Sequence, residues 1–220
     1  MKVLFTLSLL VFSIMTFAQS GFVSISDLCP EVKPDMSYAT KENFTGEIVA
    51  GYKARKAFMA KGPAEVLCMV VADAKKMNLG IKIFDSYRPA KAVAFFQEWA
   101  QRPETNPEIK KLHYPDYTRA QLFDLGYIAK QSSHSKGSAI DLTLFDLSTG
   151  RDLDMGTGFD YFGELSHTDN LNVTAAQRKN RYLLKELMEK RGFKNFSQEW
   201  WHYSFKPEPF PNTYFDFDVE

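Results

Sequence analysis

Two of the four histidines stand in surroundings that suit a metal-dependent hydrolase. His134 lies in Ser132-Ser133-His134-Ser135-Lys136-Gly137-Ser138-Ala139-Ile140-Asp141, and His202 closes Glu199-Trp200-Trp201-His202. Hydrolytic zinc commonly takes three nitrogen or oxygen ligands and keeps a fourth position for water. His134, Asp141 and His202 supply such a set, so a Zn2+ cofactor is expected. Gly137 would let the backbone turn between the first two ligands. A base is needed near the metal, and Glu199 is the candidate. In a regular strand Glu199 and His202 would point to opposite faces, so a bend or bulge near Trp200 is required if both serve one site. Arg88, in Asp85-Ser86-Tyr87-Arg88-Pro89, is a permanent cation. On the residues alone it can form a surface ion pair with Asp85, although it sits where a strand ends and a helix begins. His113 and His167 read as loop side chains, with His167 an alternative third ligand. The helical His-Glu-x-x-His pattern of many metalloproteases is absent, and so is the Gly-x-Ser-x-Gly elbow of serine hydrolases.

The elements that must carry these residues are legible in outline. Pro63 to Met77 reads as a helix, with Val66, Leu67, Val70, Val71, Ala74 and Met77 recurring at three and four and Gly80 ending the stretch. Ile81 to Phe84 is short and β-branched and reads as a strand. Arg88-Pro89 breaks the chain before a second helix, Ala90 to Ala100. Residues 101–132, with three prolines, read as loop with short helical pieces. Ala139 to Phe145 reads as a strand that carries Asp141. Thr174-x-x-Gln177 is a capping-box signature opening a helix that Gly192 closes, and Phe193 to Phe205 fits one or two strands. Residues 19–62 are irregular and turn-rich. The mixture lacks regular βαβ repetition, so the expected fold is α+β: a single domain with an antiparallel or mixed sheet flanked by helices and the zinc site in a cleft of the sheet.

Lys plus Arg and Asp plus Glu both number 27, a balance that does not suggest a nucleic-acid partner. Met1-Lys2, the apolar run from Val3 to Phe17 and the small residues up to Ala18 have the layout of a secretory signal peptide. Residues 1–18 are therefore expected to be a leader, residues 19–220 the mature domain, and the protein exported, periplasmic or secreted. The apolar run is shorter than the ~20 residues of a spanning helix, so no stable membrane anchor is expected. Cys29 and Cys68 are the only cysteines. They can be a disulfide, which export would permit, or two free thiols, and sequence alone does not bring two Cα atoms within bridging reach. Nothing in the sequence sets the oligomeric state.

The string Ser132-x-His134-x-x-Gly137-x-Ala139-x-Asp141, followed much later by Glu199-x-x-His202, resembles the zinc D,D-peptidases of bacterial cell walls. It is more similar still to the D-alanyl-D-alanine dipeptidases of the VanX type. The resemblance extends through Tyr38-Ala39-Thr40, Asn43-Phe44-Thr45-Gly46, the Arg88 segment, Met155-Gly156-Thr157 with Phe159-Asp160, and the ending Pro211 to Phe217. It implies hydrolysis of a small dipeptide, with His134, Asp141 and His202 on zinc. Glu199 would be general base and later acid, and Arg88 would face the oxyanion. Tyr38 and Asp160 would hold the substrate ammonium, and Ser132 would lie near its carboxylate. Two departures stand out: Ser86 occupies a position where the family usually has Gly, and residues 163–168 differ in composition from the resistance enzymes. The rival readings are a D,D-carboxypeptidase trimming longer wall peptides and a non-catalytic zinc-containing binding module. Retention of Glu199 and Arg88 argues against the second.

Overall fold

In a computed structural model, residues 21–220 are described; the expected leader over 1–18 lies outside them. Among the described residues, seven strands and six α-helices alternate irregularly. They are β1 (Phe22–Ser24), α1 (Ile25–Leu28), β2 (Lys33–Pro34), β3 (Phe58–Ala60), α2 (Lys61–Lys75), β4 (Leu79–Asp85), α3 (Ala90–Gln101), α4 (Pro107–His113), α5 (Arg119–Asp124), β5 (Ala139–Asp146), α6 (Ala175–Glu189), β6 (Phe193–Asn195) and β7 (His202–Phe205). β1 and β3 pair antiparallel in a small ribbon. The main sheet runs β2-β4-β5-β7-β6, with β2 parallel to β4 and every other pair antiparallel. It is therefore the mixed sheet of an α+β domain.

Strand alternation divides the sheet into two faces. Ile81, Ile83, Ile140, Leu142, Leu144 and Tyr203 are fully buried and form the face covered by α2 and α6. The α2 residues Ala64, Leu67, Val70, Val71 and Ala74 are buried at helical spacing. Asp141, Thr143 and His202 lie on the other face. There, Phe96 and Trp99 of α3 join Tyr38 and Phe44 in an aromatic cluster with ring centroids 5.0–6.0 Å apart. The site lies between that cluster and the sheet.

Two local expectations need amendment. α2 is ended by Asn78, which sits at a left-handed φ of 59°, a conformation that Asn tolerates better than most residues. Gly80 is instead inside β4, where the Phe145 ring of β5 covers it; a Cβ there would come within 2.2 Å of that ring. The capping box opens α6 as expected: Thr174 accepts from the Gln177 N–H, and the Gln177 side chain accepts from the Thr174 N–H.

Cys29 and Cys68 form a disulfide, with Cα atoms 5.7 Å apart. It ties the N-terminal segment to α2, and a link of this kind typically contributes ~2–4 kcal/mol. Among the described residues, no helix is long and apolar enough to cross a membrane.

Candidate active site

Asp141 and His202 are directly opposed partners on β5 and β7. His134 enters from a short 3-10 turn, Ser133–Lys136, just before β5. The Ser132 hydroxyl caps that turn by accepting the His134 N–H at 3.2 Å. Gly137, at φ 70°, ends it in the left-handed region. A Cβ at Gly137 would also strike the Phe22 ring, so both conformation and space call for glycine.

Three side-chain atoms converge. His134 Nε2 is 3.1 Å from His202 Nδ1 and 3.3 Å from Asp141 Oδ2, and His202 Nδ1 is 2.9 Å from Asp141 Oδ1. His134 Nδ1 lies 2.6 Å from the Ser86 carbonyl oxygen. A carbonyl can only accept, so Nδ1 carries the proton and Nε2 presents its lone pair to the cluster. His202 Nε2 is 3.3 Å from the Ser204 hydroxyl, which leaves Nδ1 facing inward. Two imidazole lone pairs and a carboxylate meeting at one point fit a divalent cation, and this donor set, with each imidazole held by an outer partner, is that of catalytic zinc sites.

Glu199 is placed by a turn. The His202 N–H donates to the Glu199 carbonyl at 3.2 Å, and the Asn195 side-chain amide donates to the carbonyls of both Glu199 and His202 at 3.1 Å. β7 begins only at His202, so strand parity does not separate the two side chains. This is the bend expected near Trp200. Glu199 Oε2 comes to 3.9 Å from His202 Nδ1. Burial raises the Glu199 carboxyl to about 7, with Asp141 adding to the rise and His202 and Arg88 opposing it.

Arg88 sits where β4 gives way to α3. Its Nε donates to Asp85 Oδ2 at 2.8 Å, and a terminal nitrogen donates to Asp141 Oδ2 at 3.4 Å. The guanidinium also lies over the Tyr38 ring, 5.3 Å from its centroid. The Tyr38 hydroxyl donates to Asp160 Oδ2 at 2.8 Å. Asp160 is nearly fully buried, and burial pushes its carboxyl well above the ordinary carboxylate range, against the hydrogen bond from Tyr38. Tyr38, Arg88, Ser132, His134, Asp141, Asp160, Glu199 and His202 all line one cavity of about 190 Å³. His167 and His113 do not line it. His167 Nε2 pairs instead with the Tyr127 hydroxyl at 3.3 Å.

A family model described as D-ala-D-ala dipeptidase matches residues 18–220. The chain belongs to the D-alanyl-D-alanine dipeptidase family. Dipeptidases of that name from Enterococcus faecalis and Streptomyces coelicolor are 41% and 40% identical to it. The first alignment covers 91% of this chain and 99% of the relative, the second 90% and 98%. A solved vancomycin-resistance D,D-pentapeptidase, VanY in complex with Zn(II), aligns at 17% identity and a TM-score of 0.40 over 68% of this chain and 73% of that one. The family is one of zinc metallopeptidases, and zinc is the cofactor. The family corrects one expectation. D-Ala-D-Ala dipeptidases of this kind are typically cytoplasmic enzymes, so the reading of the chain as exported, periplasmic or secreted does not stand.

Two buried residues behind Arg88 escaped the sequence reading. Asp85 was weighed only as a surface partner of Arg88, yet it is fully buried. The β4–β5 register shifts between Ile83 and Asp85, which sets Asp85 opposite Asp141 on the site face. Its second oxygen accepts the Tyr52 hydroxyl at 2.6 Å. Asp85 thus fixes Arg88 from behind, with Tyr52 fixing Asp85. The three-residue spacing to Arg88 was a usable signal for Asp85; nothing in the sequence pointed to Tyr52. Asp85→Asn is expected to retain zinc but lower kcat by about 10–100-fold, the worth of one charge-assisted hydrogen bond. Metal analysis beside steady-state kinetics checks this, and a parent-like kcat would release Arg88 from its dependence on Asp85.

Proposed function

We propose that the protein hydrolyses free D-alanyl-D-alanine to two D-alanines, with Glu199 as general base and Asp160 as partner of the substrate ammonium. The observation that carries this reading is the buried Asp160 carboxyl in the same small cavity as the His134–Asp141–His202 cluster. At about 190 Å³, the cavity is below the ~300–1,000 Å³ of pockets for drug-sized ligands and suits a dipeptide of small side chains.

Zinc bound here would supply a water of lowered pKa, toward ~7 from ~15.7, and a Lewis acid for the scissile carbonyl. His134, Asp141 and His202 would hold it. Glu199 takes a proton from the attacking water and delivers it to the departing amine. Arg88, kept charged and oriented by Asp85, faces the oxygen that becomes negative. The Ser132 hydroxyl uses a lone pair on the His134 N–H and keeps its own proton for the substrate carboxylate. Asp160 and Tyr38 receive the ammonium.

Charge at Asp160 separates a dipeptidase from a carboxypeptidase. A free dipeptide brings an ammonium that holds the buried Asp160 ionised and pairs with it; a longer peptide brings a neutral amide and no cation to offset the burial of that charge. Free D-Ala-D-Ala is therefore expected to be cleaved much faster than N-acetyl-D-Ala-D-Ala. Asp160→Ala should reduce that preference by roughly 10²-fold, chiefly by harming the dipeptide, because loss of one partner of a buried charge pair costs several kcal/mol. Equal or faster cleavage of the acylated substrate by the unaltered enzyme would favour the carboxypeptidase reading.

A further inference from the structure

The segment from Met155 to His167 carries Asp160 and is held at two levels. Arg181, fully buried on α6, fixes its ends. Its Nε donates to the Met155 carbonyl at 2.6 Å, and its terminal nitrogens donate to the His167 and Leu165 carbonyls at 2.7 and 2.9 Å. The middle is held by His113, the last residue of α4. His113 Nδ1 is 3.1 Å from the Asp160 carbonyl oxygen, and the His113 carbonyl accepts the Phe162 N–H at 2.6 Å. The two contacts flank Tyr161 and pin the chain immediately after the Asp160 Cα. Because a carbonyl can only accept, the His113 proton must sit on Nδ1. Asp160 has a left-handed φ of 56°, a conformation that Asp tolerates better than most non-glycine residues but that still needs surrounding contacts to fix it.

We propose that His113 is a positioning residue for Asp160: its Nδ1–H on the Asp160 carbonyl holds the left-handed backbone that aims the Asp160 carboxyl at Tyr38 and the cavity. This rests on the reading of Asp160 as the ammonium's partner. His113 does not line the cavity, and its side-chain bond goes to backbone at Asp160, away from the three metal-binding atoms. Its loss should therefore fall on recognition of the dipeptide's amino end and spare the reacting centre. A packing role is separated from this one by rescue: a smaller side chain that restores only the donor to the Asp160 carbonyl should restore recognition, which packing alone would not predict.

The experiment compares His113→Ala, His113→Asn and Asp160→Ala with the parent holoenzyme on free and N-acetylated D-Ala-D-Ala. The Asn side-chain amide places a donor where His Nδ1 stands. His113→Ala is expected to raise KM for the free dipeptide about tenfold, with kcat, zinc content and cleavage of the acetylated substrate unchanged. His113→Asn should restore the parent KM. In the unaltered protein, nitrogen NMR should show His113 with its proton on Nδ1; a proton on Nε2 would overturn the proposal without any variant. Equal loss on both substrates, or an Asn variant no better than Ala, would also overturn it. If Asp160→Ala shifts selectivity and His113→Ala does not, the positioning role alone fails. If Asp160→Ala leaves selectivity untouched, the ammonium reading fails first and the proposal falls with it.

Discussion

Glu199→Ala is expected to keep its zinc and lose turnover by about 10²–10⁴-fold, the usual worth of a positioned general base. The side chain lies beside the cluster that could hold the metal without belonging to it: its Oε2 is 3.9 Å from His202 Nδ1, whereas the three converging atoms come from His134, Asp141 and His202. Truncation therefore removes the proton carrier and leaves the donor set intact. The turn that places Glu199 is made by backbone and by Asn195, so it survives truncation. Burial has raised the carboxyl to about 7, which suits a group that must both accept and release a proton near neutrality. The base works only when deprotonated, so kcat should fall as pH drops through this group's pKa. The zinc charge acts to lower that pKa, so the acid limb should lie at or below about 7. The limb should vanish in Glu199→Ala. A variant that keeps substantial turnover, or that loses zinc together with turnover, would mean that Glu199 is a bystander or a ligand.

Chemistry was more legible in the amino-acid order than geometry. His134 and Asp141 are close in sequence, and Gly137 between them marks a turn that only glycine fills easily. His202 is distant, and neither β5 nor β7 encodes its partner; the register that sets Asp141 against His202 follows from how the apolar face of the sheet packs, with Ile140, Leu142 and Tyr203 turned the other way. The strand-parity objection to Glu199 assumed a strand where a turn lies. Asp85 looked like a surface residue because a lone carboxylate is costly to bury. The groups that satisfy it, Tyr52 and Arg88, are separated from each other by 36 positions and meet only in the fold. Gly80 looked like a helix stop because glycine often is one, but here its missing side chain makes room for Phe145. The apolar start of the chain matches a leader pattern, and only the relatives overruled export.

His134→Ala and His202→Ala should each drop the metal content from about one zinc per chain toward zero, on the stoichiometry of a three-residue catalytic site. Turnover should fall by more than about 10³-fold, because the several kcal/mol of charge stabilisation a metal supplies goes with it. The loss should exceed that of Asp85→Asn because it removes a donor rather than the orienter of a cation. The geometry predicts a further asymmetry between the two variants. His134 is 1% exposed and fixed through Nδ1 to the Ser86 carbonyl, so its truncation also orphans a buried acceptor. His202 is more open, with its side chain 15% exposed, and its outer partner Ser204 has the Ser133 hydroxyl at 3.1 Å to fall back on. His134→Ala should therefore lower the melting temperature of the chelated protein more than His202→Ala does, although both lose zinc. Metal analysis, turnover and thermal melts with and without chelator separate these effects. Full activity in a metal-free preparation would remove the metal from the reaction altogether. Retention of zinc by both variants would place the donor set elsewhere.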